Sequence, residues 1–229
     1  MSTAAPSPNE LSARLADYPA PQVQAALANA TSAQVEAALG HETRTPADLI
    51  ALLSPAAQPY LEPMAREAQR LTRWHFGRTI SLYAPLYISN LCAADCVYCG
   101  FSVRAETHDK RVTLKPEHIH AECQALRQQG FDAVLILTGE APKAVPPRYI
   151  RDAVAIANDY FSSVAVEVYS VDTDAYRGFV AAGLEGVTLY METYDRDTYR
   201  AVHREGEKAD YDYRLDALTR ACRAGVRRL

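Results

Sequence analysis

Cys92, Cys96 and Cys99 stand in the segment Asn90-Leu-Cys-Ala-Ala-Asp-Cys-Val-Tyr-Cys-Gly-Phe101, spaced C-x3-C-x2-C with an aromatic residue just before the last of them. Three thiolates on one short loop can hold three irons of a [4Fe–4S] cluster. The fourth iron then keeps a position open to a small molecule, so the loop points to chemistry rather than to simple electron storage. Structural zinc is the competing use of such thiols. It wants four ligands, usually with a second hook of similar spacing. The other two cysteines, Cys123 and Cys222, are isolated, and no second C-x2-C or H-x3-H follows.

The elements that must position this loop fall into two stretches. Residues 1–75 read as a helical N-terminal region. Gln22-Val-Gln-Ala-Ala-Leu-Ala is alanine-rich, and alanine is the best helix former. Thr31 or Ser32 caps a helix that reaches Leu39, with Gly40 as its expected terminator. Thr45-Pro46 opens another, in which Leu49, Leu52 and Leu53 are expected to form the apolar stripe. Tyr60 to Phe76 reads as a longer helix.

Residues 76–229 alternate between short apolar strands and helices. Strands are expected over Ile80–Ser89, Ala133–Leu137, Val164–Val168 and Gly186–Met191. Helices are expected over 116–129, 146–160, 172–182 and 211–224, and Val226 begins what reads as a further strand. Continuous apolar runs of this length fit parallel strands buried on both faces. The fold class is therefore α/β, and the repeat suggests a barrel or partial (β/α) barrel of the TIM type rather than a doubly wound sheet, preceded by an all-helical arm. In such barrels the active site lies where strands end and loops begin. The cysteine loop follows the first strand, Thr138-Gly139-Glu140 the second, Glu167 lies near the end of the third, and Glu192-Thr193-Tyr194 follows the fourth. Four strand ends thus carry polar groups toward one face.

With these residues in place, the C-x3-C-x-Tyr-C pattern resembles the radical S-adenosylmethionine (SAM) enzymes. The wider segment Pro85–Ser102 is similar to the 2-iminoacetate synthases, the tyrosine lyases of thiamine biosynthesis. Two further regions share the resemblance: Ala51–Ala57 continuing through Tyr60–Glu62 to Ala68–Arg73, and Glu192–Tyr194 followed by Gly206, Lys208 and Arg214-Leu215. It runs from about residue 30 to the last residue.

The resemblance implies a [4Fe–4S] cluster on Cys92, Cys96 and Cys99, with SAM on the open iron. Tyr98 matches the family aromatic near the adenine. Thr138-Gly139-Glu140 resembles the Gly-Gly-Glu motif, with Thr in the first place. Gly139 would let the backbone come close to the ligand, and Glu140 could hold the amino group of SAM. A plain turn with an exposed glutamate is the other reading. Glu167 could bind the ribose or amino group of SAM, or equally pair with Arg177 or another cation as scaffold. Glu192 has the same two readings. Arg214 would hold the SAM carboxylate with its guanidinium fork. Lys208 and His203 are weaker candidates, and Asn90 and Ser102 read as loop supports with no catalytic role. Cys123 and Cys222 read as core thiols.

The function implied is a lyase that cleaves the Cα–Cβ bond of L-tyrosine to 2-iminoacetate (dehydroglycine) and p-cresol. Its partners would be a thiazole synthase and a flavodoxin- or ferredoxin-type electron donor. The alternatives are another radical SAM aromatic amino acid lyase, or a non-catalytic metal-binding fragment. Family members continue with further β/α units, whereas this chain stops at Leu229 as a fifth strand begins. The expectation is that it binds a cluster but cleaves tyrosine poorly alone, or depends on a separately encoded second half.

The bulk numbers agree with an ordinary globular protein. The chain has 229 residues, 48% hydrophobic and 23% charged. A net charge of −4 offers nothing to nucleic acid or to an anionic membrane. No apolar run approaches the roughly 18 residues of a membrane span. The first ten residues lack a basic region and an apolar core of a leader. A cytoplasmic location is expected, where thiols stay reduced.

Overall fold

The computed structural model describes residues 8–106 and 110–229, so the part of the helical expectation that falls on residues 1–7 lies outside it. The chain divides into two compact units, one of residues 12–80 and one containing residues 81–229.

Among the described residues, five α-helices precede the first strand: α1 (Pro8–Ala16), α2 (Ala20–Asn29), α3 (Ser32–Gly40), α4 (Pro46–Leu53) and α5 (Leu61–Phe76). A 3-10 turn over Pro55–Tyr60 leads into α5. Thr31 and Thr45 each form a capping box, with Gln34 and Asp48 as the reciprocal partners. Val35, Ala38, Ala51 and Ala57 form the small core of this unit. Two expectations fail here. Leu49 and Leu53 are exposed, and α4 buries Asp48 and Ala51 instead. Asp48 is drawn in because its carboxylate takes the N–H and hydroxyl of Thr45 and faces His41 at 3.0 Å. Gly40 does not terminate α3 by a left-handed turn. It is the last helical residue, and His41 leaves in an extended conformation.

The second unit is built on a parallel sheet of β1 (Tyr83–Ser89), β3 (Ala133–Thr138), β4 (Ser163–Glu167) and β5 (Gly186–Val187), hydrogen-bonded in that order. The first strand starts later than expected and leaves Ile80 exposed. The last pairs over two residues only, Ala165 with Gly186 and Val166 with Val187. A β2–β6 ribbon, Asp95–Cys96 against His203–Glu205, stands apart from this sheet. The helices are α6 (Pro116–Gln128), α7 (Pro147–Asn158), α8 (Thr173–Ala181), α9 (Arg196–Val202), α10 (Tyr211–Leu215) and α11 (Ala217–Arg223).

One core joins the sheet to the helices. Leu86 and Ile88 of β1, Val134 and Ile136 of β3, and Val164 and Val166 of β4 meet Ile119, Ile150, Val154, Tyr176 and Phe179 from α6, α7 and α8. Each such side chain contributes about 1.5–3 kcal/mol by leaving water. The opposite face of β1, with Tyr83 and Tyr87, is exposed. Strands joined in sequence order through helices packed on one face give an α/β fold of the partial (β/α) barrel kind. After α11 the chain pairs in parallel with β5: Val187 donates to the Arg228 carbonyl at 2.9 Å.

The expected helix over 211–224 is two helices, because Asp216 breaks the phase between α10 and α11. That break corrects the reading of Cys222. With Ala217, Arg220 and Ala221 on the buried face of α11, Cys222 is exposed, whereas Cys123 is fully buried. Arg220 is held there by carbonyls of Val171 and Tyr213 and by Asp216.

Candidate active site at the cysteine loop

The loop after β1 is fixed by segments distant in sequence. Ala93 donates its N–H to the Glu140 carbonyl at 2.7 Å, and Gly139 donates to the Ser89 carbonyl at 3.1 Å. Val97 donates to the Val202 carbonyl at 3.0 Å, beside the β2–β6 pairing of Cys96 with His203. Asn90 takes part as well, accepting the Val112 N–H and donating to the Lys110 carbonyl.

Glycine matters at two contacts. A Cβ on Gly139 would lie 2.1 Å from the Leu91 carbonyl oxygen and 3.1 Å from the Cys92 Cβ. A Cβ on Gly206 would lie 2.7 Å from the Ala94 Cα, at a φ of +91°. Gly139 therefore lets the β3 loop close on the cysteine loop itself, a role its reading as a ligand-approach residue did not include.

Cys92, Cys96 and Cys99 line one cavity of about 200 Å³ together with Tyr98, Gly139, Glu140, Glu167, Lys208 and Arg214. The cysteine loop, the strand ends of β3 and β4, and α10 thus bring eight of the nine expected site residues to one place. Glu192 is the exception and does not line the cavity. Its carboxylate accepts from Lys208 Nζ at 2.7 Å and lies 3.5 Å from His203 Nε2. Its backbone has a φ of +63°, a left-handed conformation that costs a non-glycine residue about 1 kcal/mol or more.

The charges in the cavity are arranged in a usable way. Glu140 is buried, and among the described residues its carboxylate has no hydrogen-bond or ion-pair partner. Burial raises its pKa, and Arg214 and Lys208 oppose that rise. Arg214 is buried as well and donates Nε to the Tyr190 carbonyl at 3.0 Å. Among the described residues nothing accepts from its two terminal nitrogens. An unpaired carboxylate and a half-used guanidinium on one cavity suit a ligand that carries both an ammonium and a carboxylate. Glu167 lines the same cavity, and Arg177, its alternative scaffold partner, pairs with Asp174 instead.

The thiols differ in setting. Cys96 is buried while Cys92 and Cys99 are partly open. Burial raises the Cys96 pKa, and nearby Lys208 works against it. Among the described residues, no three His, Cys, Asp or Glu side chains are gathered to grip a single metal ion. A cluster does not need that convergence, since each thiolate holds its own iron. The donor set fits a [4Fe–4S] group.

Two groups of supporting residues were missed or underrated from sequence. Asp95 is buried, accepts from the Ser102 hydroxyl at 2.8 Å and faces Arg104 Nε at 3.6 Å, while Arg104 also pairs with Glu205. His203 is buried and meets the Tyr98 hydroxyl. A carboxylate between two cysteines of the motif was the one available signal for the first. The Tyr98–His203 pair gave none, as its members are 105 residues apart.

Comparison with known proteins agrees with this geometry. Residues 86–229 match the model of the radical SAM superfamily. The chain is 46% identical over 179 residues to 2-iminoacetate synthase of Salmonella typhimurium, covering 78% of this chain and 47% of that protein. It is 45% identical to 2-iminoacetate synthase of Escherichia coli over the same length and shares. The chain thus spans about half the length of the curated relatives it matches. Among solved structures it is similar to HydG, a maturase of the [FeFe]-hydrogenase, with a TM-score of 0.82 and 30% identity over 90% of this chain and 48% of that one. It also matches methylornithine synthase (PylB), with a TM-score of 0.70 and 25% identity over 84% and 56%. The cysteine loop, the strand-end carboxylates and a family match over most of the chain lead to one assignment: this protein belongs to the radical SAM superfamily, whose members bind a [4Fe–4S] cluster and SAM.

Proposed function

We propose that this chain is the cofactor-binding core of a lyase that cleaves the Cα–Cβ bond of L-tyrosine, giving 2-iminoacetate and p-cresol. The observation that carries the reading is the shared cavity of three cysteine thiols, the unpaired Glu140 carboxylate and the Arg214 fork. The identity to two 2-iminoacetate synthases supports the choice of substrate. Cys92, Cys96 and Cys99 would hold the cluster. When bound, the cluster and SAM would supply radical chemistry able to abstract a hydrogen atom.

The residues of the chain hold, orient and screen. Glu140 would take the ammonium of SAM and Arg214 its carboxylate, each by charge-assisted hydrogen bonds. Tyr98 would form a wall beside the adenine, and Glu167 would reach the ribose or amino group. Glu192 would act one step back, by fixing Lys208 at the cavity edge. A thiazole synthase that accepts the short-lived 2-iminoacetate and a flavodoxin- or ferredoxin-type donor belong to the same reading, as does a cytoplasmic location. Among the described residues, no helix is long and apolar enough to cross a membrane.

Two measurements test this. Glu140→Ala and Arg214→Ala should each weaken SAM binding about tenfold or more while the cluster still assembles, since a hydrogen bond to a charged group contributes roughly 1.5–3 kcal/mol. Unchanged affinity in both would remove them from the site. Product analysis after reduction with dithionite, with SAM and L-tyrosine present, decides the chemistry. 5′-Deoxyadenosine with p-cresol in low yield is the expected result for this chain alone, which spans about half the length of its relatives. 5′-Deoxyadenosine with any other aromatic amino acid, and no p-cresol from tyrosine, would overturn the substrate assignment.

A further inference from the structure

His203 is buried to its ring nitrogens, yet both nitrogens are committed. Nδ1 lies 3.0 Å from the Tyr199 carbonyl oxygen. A carbonyl can only accept, so Nδ1 carries the proton and Nε2 is left to accept in the neutral ring. Nε2 lies 2.5 Å from the Tyr98 hydroxyl, which therefore donates. The two rings meet edge to face, with centroids 5.5 Å apart at 88°. Glu192 also approaches Nε2, at 3.5 Å, but its other oxygen is taken by Lys208, so the phenol is the nearer partner.

Tyr98 is held at its two ends. Its backbone lies in the segment whose Val97 N–H is bound to the Val202 carbonyl, and its hydroxyl is bound to His203. Between these ends the ring is half exposed, at 51%, and lines the cavity between Cys96 and Cys99. A phenylalanine would fill the same place with no such anchor. The phenol thus has a use that the flat ring alone does not explain.

We propose that His203 is a positioning residue, which locks the Tyr98 ring as a fixed wall of the cofactor cavity and so sets the affinity for SAM. The proposal rests on the reading of that cavity as the SAM site. A ring free to rotate would have to be ordered on each binding event, and that ordering reduces affinity. With the hydroxyl pinned, the ring is already in place.

The test uses Tyr98→Phe, His203→Gln and the double variant, each reconstituted without air. Iron content, SAM dissociation constant and the change that SAM makes in the electron paramagnetic resonance spectrum of the reduced cluster are measured. All three proteins should hold about four irons, as a [4Fe–4S] site requires. Tyr98→Phe should bind SAM about five- to tenfold more weakly, the size of one lost hydrogen bond. His203→Gln, whose amide oxygen can still accept, should lose less. The double variant should be no weaker than Tyr98→Phe, because once the hydroxyl is gone the side chain at 203 has no bond to Tyr98 left to lose. A purely structural histidine would give additive losses, and that result overturns the proposal. So does wild-type SAM affinity and an unchanged spectrum in Tyr98→Phe, a variant that keeps the ring and does not threaten folding. If the parent chain itself fails to bind SAM, the reading of the cavity falls as well. A parent that binds, beside a Tyr98→Phe variant that binds equally, removes this inference alone.

Discussion

Replacing any one of Cys92, Cys96 or Cys99 by alanine should leave the anaerobically reconstituted protein with almost no bound iron or sulfide, where the parent holds about four irons. The three thiols line one cavity, and no other cysteine lines it to take over. Two thiolates cannot anchor a cluster whose third corner is then open to solvent. Cys123→Ala and Cys222→Ala serve as controls. Cys123 is buried in the core among Leu86, Ile119 and their neighbours, and Cys222 is exposed on α11. Both controls should keep the full iron content, with a modest loss of stability for Cys123→Ala from the small cavity left behind. Iron and sulfide analysis, with the absorbance of the brown protein, reads the result. Stoichiometric zinc without sulfide in the parent would sink the assignment of this loop.

Gly139→Ala should be the most damaging of the glycine-to-alanine changes among the described residues. The new Cβ would lie 2.1 Å from the Leu91 carbonyl oxygen, well inside any contact that atoms tolerate. Neither partner is a flexible side-chain tip. Leu91 is backbone at that point, and the next residue is Cys92. Relief requires that the β3 loop and the cysteine loop separate, which also breaks the hydrogen bond from Ala93 to the Glu140 carbonyl. Overpacking of this kind costs about 1–3 kcal/mol, and a rigid backbone neighbour places it at the upper end. Iron content should fall with stability, because the displaced segment carries a ligand. Urea unfolding and iron analysis check both, and a variant with parental stability and full iron would show that the two loops do not meet as described.

Much of this arrangement was legible in the chain because it is local. Continuous apolar runs such as Ala133–Leu137 announce buried parallel strands, and the threonines at 31 and 45 announce helix starts. The three cysteines carry their spacing on their face. What was missed depends on partners far away. Leu49 and Leu53 sit at helical spacing, but Asp48 and Ala51 hold the inner face of α4, because Asp48 is tied to Thr45 and His41. The phase of α11 follows from a break at Asp216 that no glycine or proline marks. Glu192 matched a motif, yet Lys208 holds its carboxylate outside the cavity lining. Asp95 and His203 act through Arg104, Glu205 and Tyr98, and only the folded chain brings those together.

The two glycine contacts have a consequence for the birth of the protein. The cysteine loop rests on Gly139 from one side and on Gly206, through Ala94, from another. A chain emerging from the ribosome delivers the cysteines first and these two supports only after about 40 and 100 further residues. Each closure carries the entropy cost of a long loop until the packed sheet repays it. Iron offered early would meet three thiols on a slack tether, open to oxidation and to the wrong metal. The nest is complete only once residue 206 has been made and folded back, so that is the natural moment for cluster delivery.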